Sequence, residues 1–406
     1  MRLHFPRSSG IFAAALFIVT GLAACGGGAG SVPHLAASNA PVAPGAPAAP
    51  TPTPTASGTP NPAATQSVTL FNVPAGINHL TFSSDGKLWF TTNNMYGNAP
   101  SYVGFLDPAT GHSTTFSPQV GSESAYSVPQ HITSGANGSV WYDLNWFGAG
   151  CSGTCTPASP MINQVTESGI STAYATGMPG RGAVVFDLIL GPDGHIYALG
   201  STPAGQNEEP PAVLQFTVGQ TSGPSATYGG PAVQGDGYET LTRGPNGTLV
   251  IATDAALYSF ASGSFSTIGA IPNGGVCGVA STQGAYWIDQ AYFTPNPNGN
   301  GETGTWTADI LKLSPSGAAS TYTMPSSGVV TCSISEQGQD QVVAGLSGML
   351  YYAENNADKL GRLNPLTGAS TEISPGIGPT MAVAVDANGN VWVAGIQGKI
   401  AEIKGF

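Results

Sequence analysis

The sequence predicts an all-β fold, a seven-bladed β-propeller of four-stranded antiparallel sheets, and three observations point to it. A unit of two short strands joined by a tight turn opens at residues 76–90 (GINHLTFSSDGKLWF) and returns at 129–142, 184–197, 238–251 and 380–393. The chain holds 57 glycines and 33 prolines, many of them at the turns between such strands. Apolar and polar residues alternate within the strands, as half-buried hairpins require. Self-similar short strands at a spacing of about 40–50 residues are typical of a propeller.

The number of blades follows from the aromatic or apolar residue that opens each second strand. The markers in order are Trp89, Trp141, Tyr197, Val250, Trp287, then Val342 or Tyr351, and Trp392. The sixth unit has two possible registers, with its first strand at 330–334 or with the whole unit over 341–365. Both registers predict seven units.

The last unit and the start of the folded region are expected to share one sheet. Residues 380–404 leave room for only three strands, while the segment 67–73 (SVTLFNV) is a spare strand ahead of the first unit. Pairing the two would close the ring and cover two sheet edges that are otherwise open to aggregation. We therefore expect the propeller to occupy residues 66–406.

The N-terminus is expected to be a secretory signal over residues 1–24. Arg2 and Arg7 precede an apolar run at 11–22 that is too short to span a bilayer as a mature helix. Cys25 follows Leu-Ala-Ala, which resembles a bacterial lipobox and implies a lipidated mature N-terminus; the alternative is an ordinary signal with a chance cysteine. Gly26 in place of an aspartate favours the outer membrane. These features predict a lipid-anchored protein of the cell envelope, in the outer membrane or facing the periplasm.

Residues 26–65 carry no charge and are rich in proline, alanine and threonine. Such a composition cannot bury a core, so residues 25–65 are expected to form a disordered tether behind the lipidated cysteine. The whole chain has 22 acidic and 10 basic residues, a net charge of −12. This balance argues against nucleic acid and against anionic membrane surfaces as partners, because both need basic patches. We expect a monomer.

Three stretches carry a resemblance to a known family. They are 83–92 (SSDGKLWFTT), 191–197 (GPDGHIY) and 349–373 (MLYYAENNADKLGRLNPLTGASTEI). They resemble the repeats of the streptogramin (virginiamycin B) lyase family and are similar to NHL-type propellers, over essentially residues 66–406. The resemblance implies the fold and, less specifically, a lyase that uses a metal ion, because the repeat residues themselves are structural.

The resemblance also locates where catalytic histidines would stand, eleven residues before the tryptophan marker. Asn78, Gln130, Phe186 and Glu239 occupy these positions in the first four units, and none is histidine. The next position holds His79, His131 and Asp187 in the first three units. A shift of one residue changes the face of a strand unless a bulge corrects the register. The family's glutamate, four residues after the tryptophan, is replaced by Asn93, Asn145 and Ala291.

The candidate catalytic residues are His79, His131, Asp187 and Glu239. His79 and His131 lie at equivalent positions of adjacent sheets, where with Asp187 they could bind a metal ion or act as an acid–base pair. The alternative role is inter-sheet packing with hydrogen bonds. Asn78, Gln130 and Glu239 form a competing set, suited to a lactonase-type site, if the other strand face points inward. The metal is unknown, and Mg²⁺ or Ca²⁺ is expected if the protein is an enzyme.

Four long insertions are all second-to-third connections and should therefore lie on one face. They are residues 93–100, 145–160, 200–211 and 291–306. Extra length on one side suggests a binding surface, although drift in tolerant loops is the alternative. Aromatic residues in these segments favour ligand binding; those named as candidates are Trp146, Phe147, Tyr292 and Phe293.

The four cysteines after Cys25 suit an oxidising compartment. Cys151 and Cys155 are separated by three residues in one insertion, and we expect a disulfide that stiffens it. Cys277 and Cys332 fall at matched positions of neighbouring units in the first of the two registers, and we expect a second disulfide there.

Three functions remain open from the sequence. The first is a tethered module that binds a small molecule, an envelope protein or a glycan on the long-loop face. The second is a metal-dependent lyase or lactonase at the channel mouth. The third is an assembly partner in the envelope.

Overall fold

The computed structural model describes residues 66–92, 101–118, 127–146, 159–178, 183–201, 212–230, 238–272, 275–295, 304–325, 341–354 and 357–406. The predicted signal, Cys25 and the tether lie outside these ranges. So do Phe147, Cys151, Cys155 and Cys332, together with the side chains of Trp146, Glu239 and Phe293. Within the described residues no helix has the length and hydropathy needed to cross a membrane.

Seven four-stranded antiparallel sheets form the blades, as predicted. Blades 1 and 2 comprise β2 (Ile77–Phe82), β3 (Leu88–Thr92), β4 (Val103–Leu106), β5 (Ser113–Phe116), β6 (Ser127–Ser134), β7 (Val140–Trp146), β8 (Met161–Val165) and β9 (Ser171–Ala175). Blades 3 and 4 comprise β10 (Val184–Leu190), β11 (Ile196–Ser201), β12 (Ala212–Phe216), β13 (Ala226–Gly229), β14 (Tyr238–Arg243), β15 (Leu249–Thr253), β16 (Ala256–Ala261) and β17 (Ser264–Ala270). Blades 5 and 6 comprise β18 (Val276–Thr282), β19 (Ala285–Pro295), β20 (Gly304–Leu313), β21 (Ala319–Thr323), β22 (Val342–Ala344), β23 (Leu350–Glu354), β24 (Lys359–Leu363) and β25 (Ser370–Ile373).

Blade 7 closes the ring, because it includes the spare strand that precedes the first unit in the sequence. It comprises β26 (Thr380–Val385), β27 (Val391–Gly395), β28 (Lys399–Lys404) and, as its outer strand, β1 (Ser67–Asn72). The β1–β28 ladder pairs all six residues of β1. Phe71 of β1 stacks on Trp392 of β27, with ring centroids 5.5 Å apart. The predicted closure by residues 67–73 is confirmed.

The structure selects the second of the two registers considered for blade 6. Its first strand is β22, and Tyr351 rather than Val342 occupies the marker position in β23. A first strand at 330–334 is therefore wrong. In this register Gln341, rather than Cys332, holds the position in blade 6 that corresponds to Cys277 in blade 5. Both disulfides stay predictions, since Cys332, Cys151 and Cys155 lie outside the described residues.

The core consists of apolar layers between neighbouring blades. Trp89, Trp141, Trp287 and Trp392 occupy the same position of their blades, and each is almost completely removed from solvent. Trp89, for example, packs with Val103 against Ile132 and Tyr142 of blade 2. A buried indole removes about 200 Å² from water, which corresponds to roughly 5 kcal/mol of transfer free energy before entropic costs. Each tryptophan thus joins its blade to the next.

A β-bulge interrupts the first strand of six blades at the position that the sequence comparison singled out. The pairing with the second strand skips residues between Ile77 and His79, Pro129 and Ile132, Val185 and Asp187, Tyr238 and Thr240, Val276 and Gly278, and Thr380 and Ala382. A bulge inserts an unpaired residue and re-aims the side chains around it. Strict alternation therefore fails at Asn78, Gln130 and Glu239.

The second-to-third connections of all blades leave from one end of the sheets, as the antiparallel order requires. We call this the long-loop end. Two of the predicted insertions begin later than expected: Trp146 is the last residue of β7, and Tyr292 and Phe293 belong to β19. Strands β19 and β20 continue as a hairpin to the pair Pro295–Gly304, because Tyr-Phe-Thr and Trp-Thr sequences suit a ladder.

Candidate functional site

Buried polar side chains gather at the long-loop end of blades 1–4. They come from the starts of the first strands and the ends of the second strands, which antiparallel pairing places side by side. None is more than 2% exposed. We call the set the polar network; its members are His79, Thr91, Gln130, His131, Asp143, Asn145, Asp187 and Thr240.

The two candidate histidines face each other across the interface of blades 1 and 2. The ring centroids of His79 and His131 lie 4.7 Å apart, with the rings tilted by 42°. Asp143 of β7 holds His131 in place: its Oδ1 accepts the His131 backbone N–H at 2.6 Å, and its Oδ2 lies 3.2 Å from His131 Nδ1. This is the arrangement of a carboxylate that fixes the orientation and tautomer of an imidazole.

Asn145, which stands where the lyase resemblance expects a glutamate, joins blade 2 to blade 3. Its Oδ1 accepts the Val185 N–H at 2.9 Å, and its Nδ2 lies 2.7 Å from the Val185 carbonyl oxygen. The same Nδ2 is 2.8 Å from Asp143 Oδ2 and 3.1 Å from Gln130 Oε1. The amide therefore bonds both backbone groups of Val185, the residue just before the bulge of β10.

Asp187 makes the corresponding link from blade 3 to blade 4. Its Oδ2 accepts the Thr240 hydroxyl at 2.6 Å and the Leu241 N–H at 2.9 Å, while its Oδ1 accepts the Leu188 N–H at 2.8 Å. Burial raises the pKa of Asp187 above its ordinary value, and the neighbouring His131 and the three donors oppose that rise. His131 of blade 2 and Asp187 of blade 3 are thus close enough for their charges to interact.

The structure describes the side chains of Asn78 and Gln130, two of the three residues in the competing set with Glu239. Asn78 is buried at the bulge of β2, and its Nδ2 has no hydrogen-bond partner among the described residues. Gln130 contributes its carbonyl to the Thr91 hydroxyl and its Oε1 to Asn145. The side chain of Glu239 lies outside the described residues. Asn78 and Gln130 are both buried, so neither is presented to open solvent.

Sequence reasoning missed a second buried group, at the interface of blades 5 and 6. Asp289 and Glu354 are each 1% exposed, and each keeps one carboxyl oxygen without a hydrogen bond among the described residues. Nearby Asp309 accepts the Tyr292 hydroxyl at 3.1 Å, so this predicted ligand-binding residue is held by blade 5 itself. The available signal was an acidic residue inside an otherwise apolar second strand, which also marks Asp143.

These carboxyl groups favour their neutral forms. Burial, with the charges of Glu354 and Asp309, raises the pKa of Asp289 well above its ordinary value. Burial and the neighbouring Glu372 raise the pKa of Glu354 to about 8. Burial also raises the pKa of Asp309.

The described residues do not assemble a metal centre. Among them, no group of three or more histidine, cysteine, aspartate or glutamate side chains is placed to hold a metal ion. His131 Nδ1 and both oxygens of Asp187 already have hydrogen-bond partners within the fold.

Solved structures of other propellers share this architecture. A catalytically inactive variant of virginiamycin B lyase from Staphylococcus aureus, with quinupristin, is 19% identical, has a TM-score of 0.59, and the match covers 83% of this chain and 99% of that chain. A streptogramin B lyase structure is 18% identical, with a TM-score of 0.56 and coverage of 84% and 97%. YCF48 bound to D1 peptide is 9% identical, with a TM-score of 0.53 and coverage of 83% and 96%.

No family model and no curated protein sequence matches the chain. At identities this low, the structural likeness shows a shared fold, and a propeller fold hosts many unrelated functions. The streptogramin lyase-like architecture expected from the repeats is thus confirmed, whereas the activity is a separate question.

Proposed function

We propose that the protein is an envelope-anchored module that binds a ligand or protein partner on its long-loop end. In this proposal Cys25 carries the lipid, in the outer membrane or facing the periplasm, and the tether of residues 25–65 lets a monomeric propeller reach a small molecule, an envelope protein or a glycan. The propellers of similar fold include one solved with quinupristin and one solved with a peptide. Both supply probes for this chain.

The observation that carries the proposal is the use of the polar network as scaffold beneath the long-loop end. The carboxylate oxygens of Asp143 and Asp187 accept hydrogen bonds from backbone N–H groups and from neighbouring side chains. A hydrogen-bonded, solvent-excluded network rigidifies the blade ends. Rigid blade ends that carry long variable connections are how folds commonly present a binding surface.

A lyase or lactonase at the channel mouth is the second candidate. The paired rings of His79 and His131, with Asp143 orienting one of them, favour it, because an elimination needs a base and an acid close together. Both rings are at most 2% exposed, so a substrate would reach them only after a local opening of the structure around them.

Loop replacement tests the binding proposal. The segments to shorten are 147–158 and 296–303, which spare Asn145 and the ladder of β19 and β20. We would measure binding of quinupristin and of an immobilised peptide array to the full propeller and to each shortened variant. We expect any probe that binds to lose at least tenfold in affinity in one of the shortened variants.

The matched control shortens the third-to-fourth connection of blade 1, residues 107–112, at the opposite end of the sheets. The affinity of this control variant for each probe should be unchanged. Binding that survives both long-loop replacements would refute the proposal. Conversion of quinupristin to a new product by the unmodified chain, read by mass spectrometry, would instead establish the lyase candidate.

A further inference from the structure

A cavity of about 310 Å³ lies in the central channel at the end opposite the long-loop end. The last residues of the first strands of blades 1–4 form its wall, next to the short first-to-second turns. Its lining residues are Thr81, Thr133, Ser134, Ile189, Leu190, Thr242 and Arg243. This cavity is separate from the polar network and from the surface proposed above.

The wall of the cavity is mostly hydroxyl groups. Thr81, Thr133 and Thr242 occupy the same position of three blades, each paired with the marker residue of its second strand. Thr133 and Thr242 are buried, while Ser134 and Leu190 near the rim are partly exposed. The floor of the site is therefore preformed, with Ile189 and Leu190 as an apolar side.

Arg243 supplies the only positive charge of this lining. Its Nε donates to the Leu190 carbonyl oxygen at 3.0 Å, and its terminal nitrogen donates to the same oxygen. This contact ties the guanidinium to the neighbouring blade. A guanidinium has five N–H donors, so the contact with a single carbonyl leaves several of them for another acceptor.

Among the described residues no carboxylate lies within ion-pair distance of Arg243, and the same holds for Lys312, Arg362 and Lys399. Lys87 pairs with Asp85 and Glu167, and Lys359 lies 4.0 Å from Glu372. Arginine in a fixed position matches the two oxygens of a carboxylate or phosphate.

We propose that this cavity binds a small hydroxylated anion, whose carboxylate or phosphate group meets Arg243 and whose hydroxyls meet the threonine wall. The volume is at the small end of ligand pockets, which suits a compact molecule rather than a peptide. The hydroxyls of Thr81, Thr133 and Thr242 both donate and accept hydrogen bonds, so they complement a polyol chain.

Titration calorimetry on the full propeller tests the site with three probes. Gluconate carries a carboxylate on a polyol, inorganic phosphate carries the other oxyanion, and sorbitol is the neutral match of gluconate. We expect gluconate or phosphate to bind with a dissociation constant on the order of 1 mM or below, and sorbitol not to bind. The anion that binds identifies which oxyanion the site prefers. Binding of neither anion overturns the proposal.

Arg243→Met should weaken binding of the anion at least tenfold. Arg243→Lys should leave an intermediate affinity, because lysine keeps the positive charge but lacks the paired N–H donors of the guanidinium. Arg362→Met is the matched control: it removes an equal charge from a guanidinium that stacks on Phe406, 4.8 Å from the ring centroid, outside this cavity. Affinity that falls equally in Arg362→Met, or stays unchanged in both Arg243 variants, overturns the site. If the Arg243 variants fold poorly, Thr133→Val tests the site in their place. It should weaken gluconate binding without changing the charge of the cavity.

Discussion

At the scale of single residues, Asn145 is the side chain on which most of the polar network depends. It contacts the backbone of Val185 through both ends of its amide and reaches Asp143 and Gln130 in its own blade. All of these groups are buried. The residue that replaces the lyase family's glutamate is therefore used here to join two blades.

We predict that Asn145→Ala destabilises the propeller by roughly 3–5 kcal/mol, since the buried Val185 N–H, the Val185 carbonyl oxygen and Gln130 Oε1 each lose the hydrogen bond that Asn145 makes to them. Urea unfolding of both proteins measures the change. Asn388→Ala, in an exposed turn of blade 7, is the control and should stay within about 0.5 kcal/mol of the parent chain. Equal midpoints for Asn145→Ala and the parent would contradict the proposed bridge.

The residue pairs of the site were only partly predictable. The nearness of His79 and His131 followed from equivalent positions in adjacent sheets. Asp143 could not be assigned to His131, because a bulge separates Pro129 from Ile132 and a hydrophobic pattern does not report a bulge. Asp289 was missed for a related reason: its burial depends on neighbouring blades rather than on its own strand.

At the scale of strands, the closing strand β1 is the element that turns seven sheets into a ring. It pairs along its whole length with β28, although most of its side chains are exposed. Its main side-chain contribution is Phe71, stacked on Trp392. Without β1, the edge of β28 would offer unpaired backbone groups to other chains.

We predict that a chain beginning at residue 73 is roughly 3–5 kcal/mol less stable than one beginning at residue 66, and that it self-associates. Urea unfolding and light scattering after gel filtration measure both effects. A chain beginning at residue 66 is itself the control, because it removes the tether and keeps β1. Addition of a peptide of residues 66–73 should restore stability to the shorter chain; a monomeric shorter chain of unchanged stability would refute the closing role.

The elements themselves were largely predictable because repeats reveal their own period. Turn residues and alternation located the hairpins, and the missing strand of blade 7 pointed to residues 67–73. The extension of β19 and β20 was not predicted, because Tyr292 and Phe293 suit a ladder as well as a loop surface. Register in blade 6 needed the structure, since two alignments of similar quality gave the same number of blades.

At the scale of the whole molecule, the ring is electrostatically uneven. Blades 1–4 bury two histidines together with Asp143, the carboxylate partner of His131, whereas blades 5 and 6 bury Asp289, Asp309 and Glu354 without a matching cation at hydrogen-bond distance among the described residues. A buried acid with a raised pKa favours folding in its neutral form. The acidic side of the ring should therefore control how stability responds to pH.

The direction of the pKa shift of Glu354 determines whether stability rises or falls with pH. The pKa of Glu354 rises from 4.5 to about 8 in the folded protein, so its stabilising effect is full below pH 4.5 and is lost as pH rises through about 8. Asp289 adds to the same trend. We predict that the propeller is more stable at pH 5 than at pH 9, and that Glu354→Gln recovers roughly 2–4 kcal/mol at pH 9.

Urea midpoints at pH 5, 7 and 9 measure this prediction. Glu354→Gln should flatten the curve, because glutamine stays neutral throughout the range. Glu167→Gln is the matched control: it removes an exposed carboxylate that pairs with Lys87, and it should shift all three midpoints alike. A Glu354→Gln curve parallel to that of the parent chain would show that Glu354 is ionised in the folded protein. The pH dependence of stability would then have to be attributed to Asp289 alone.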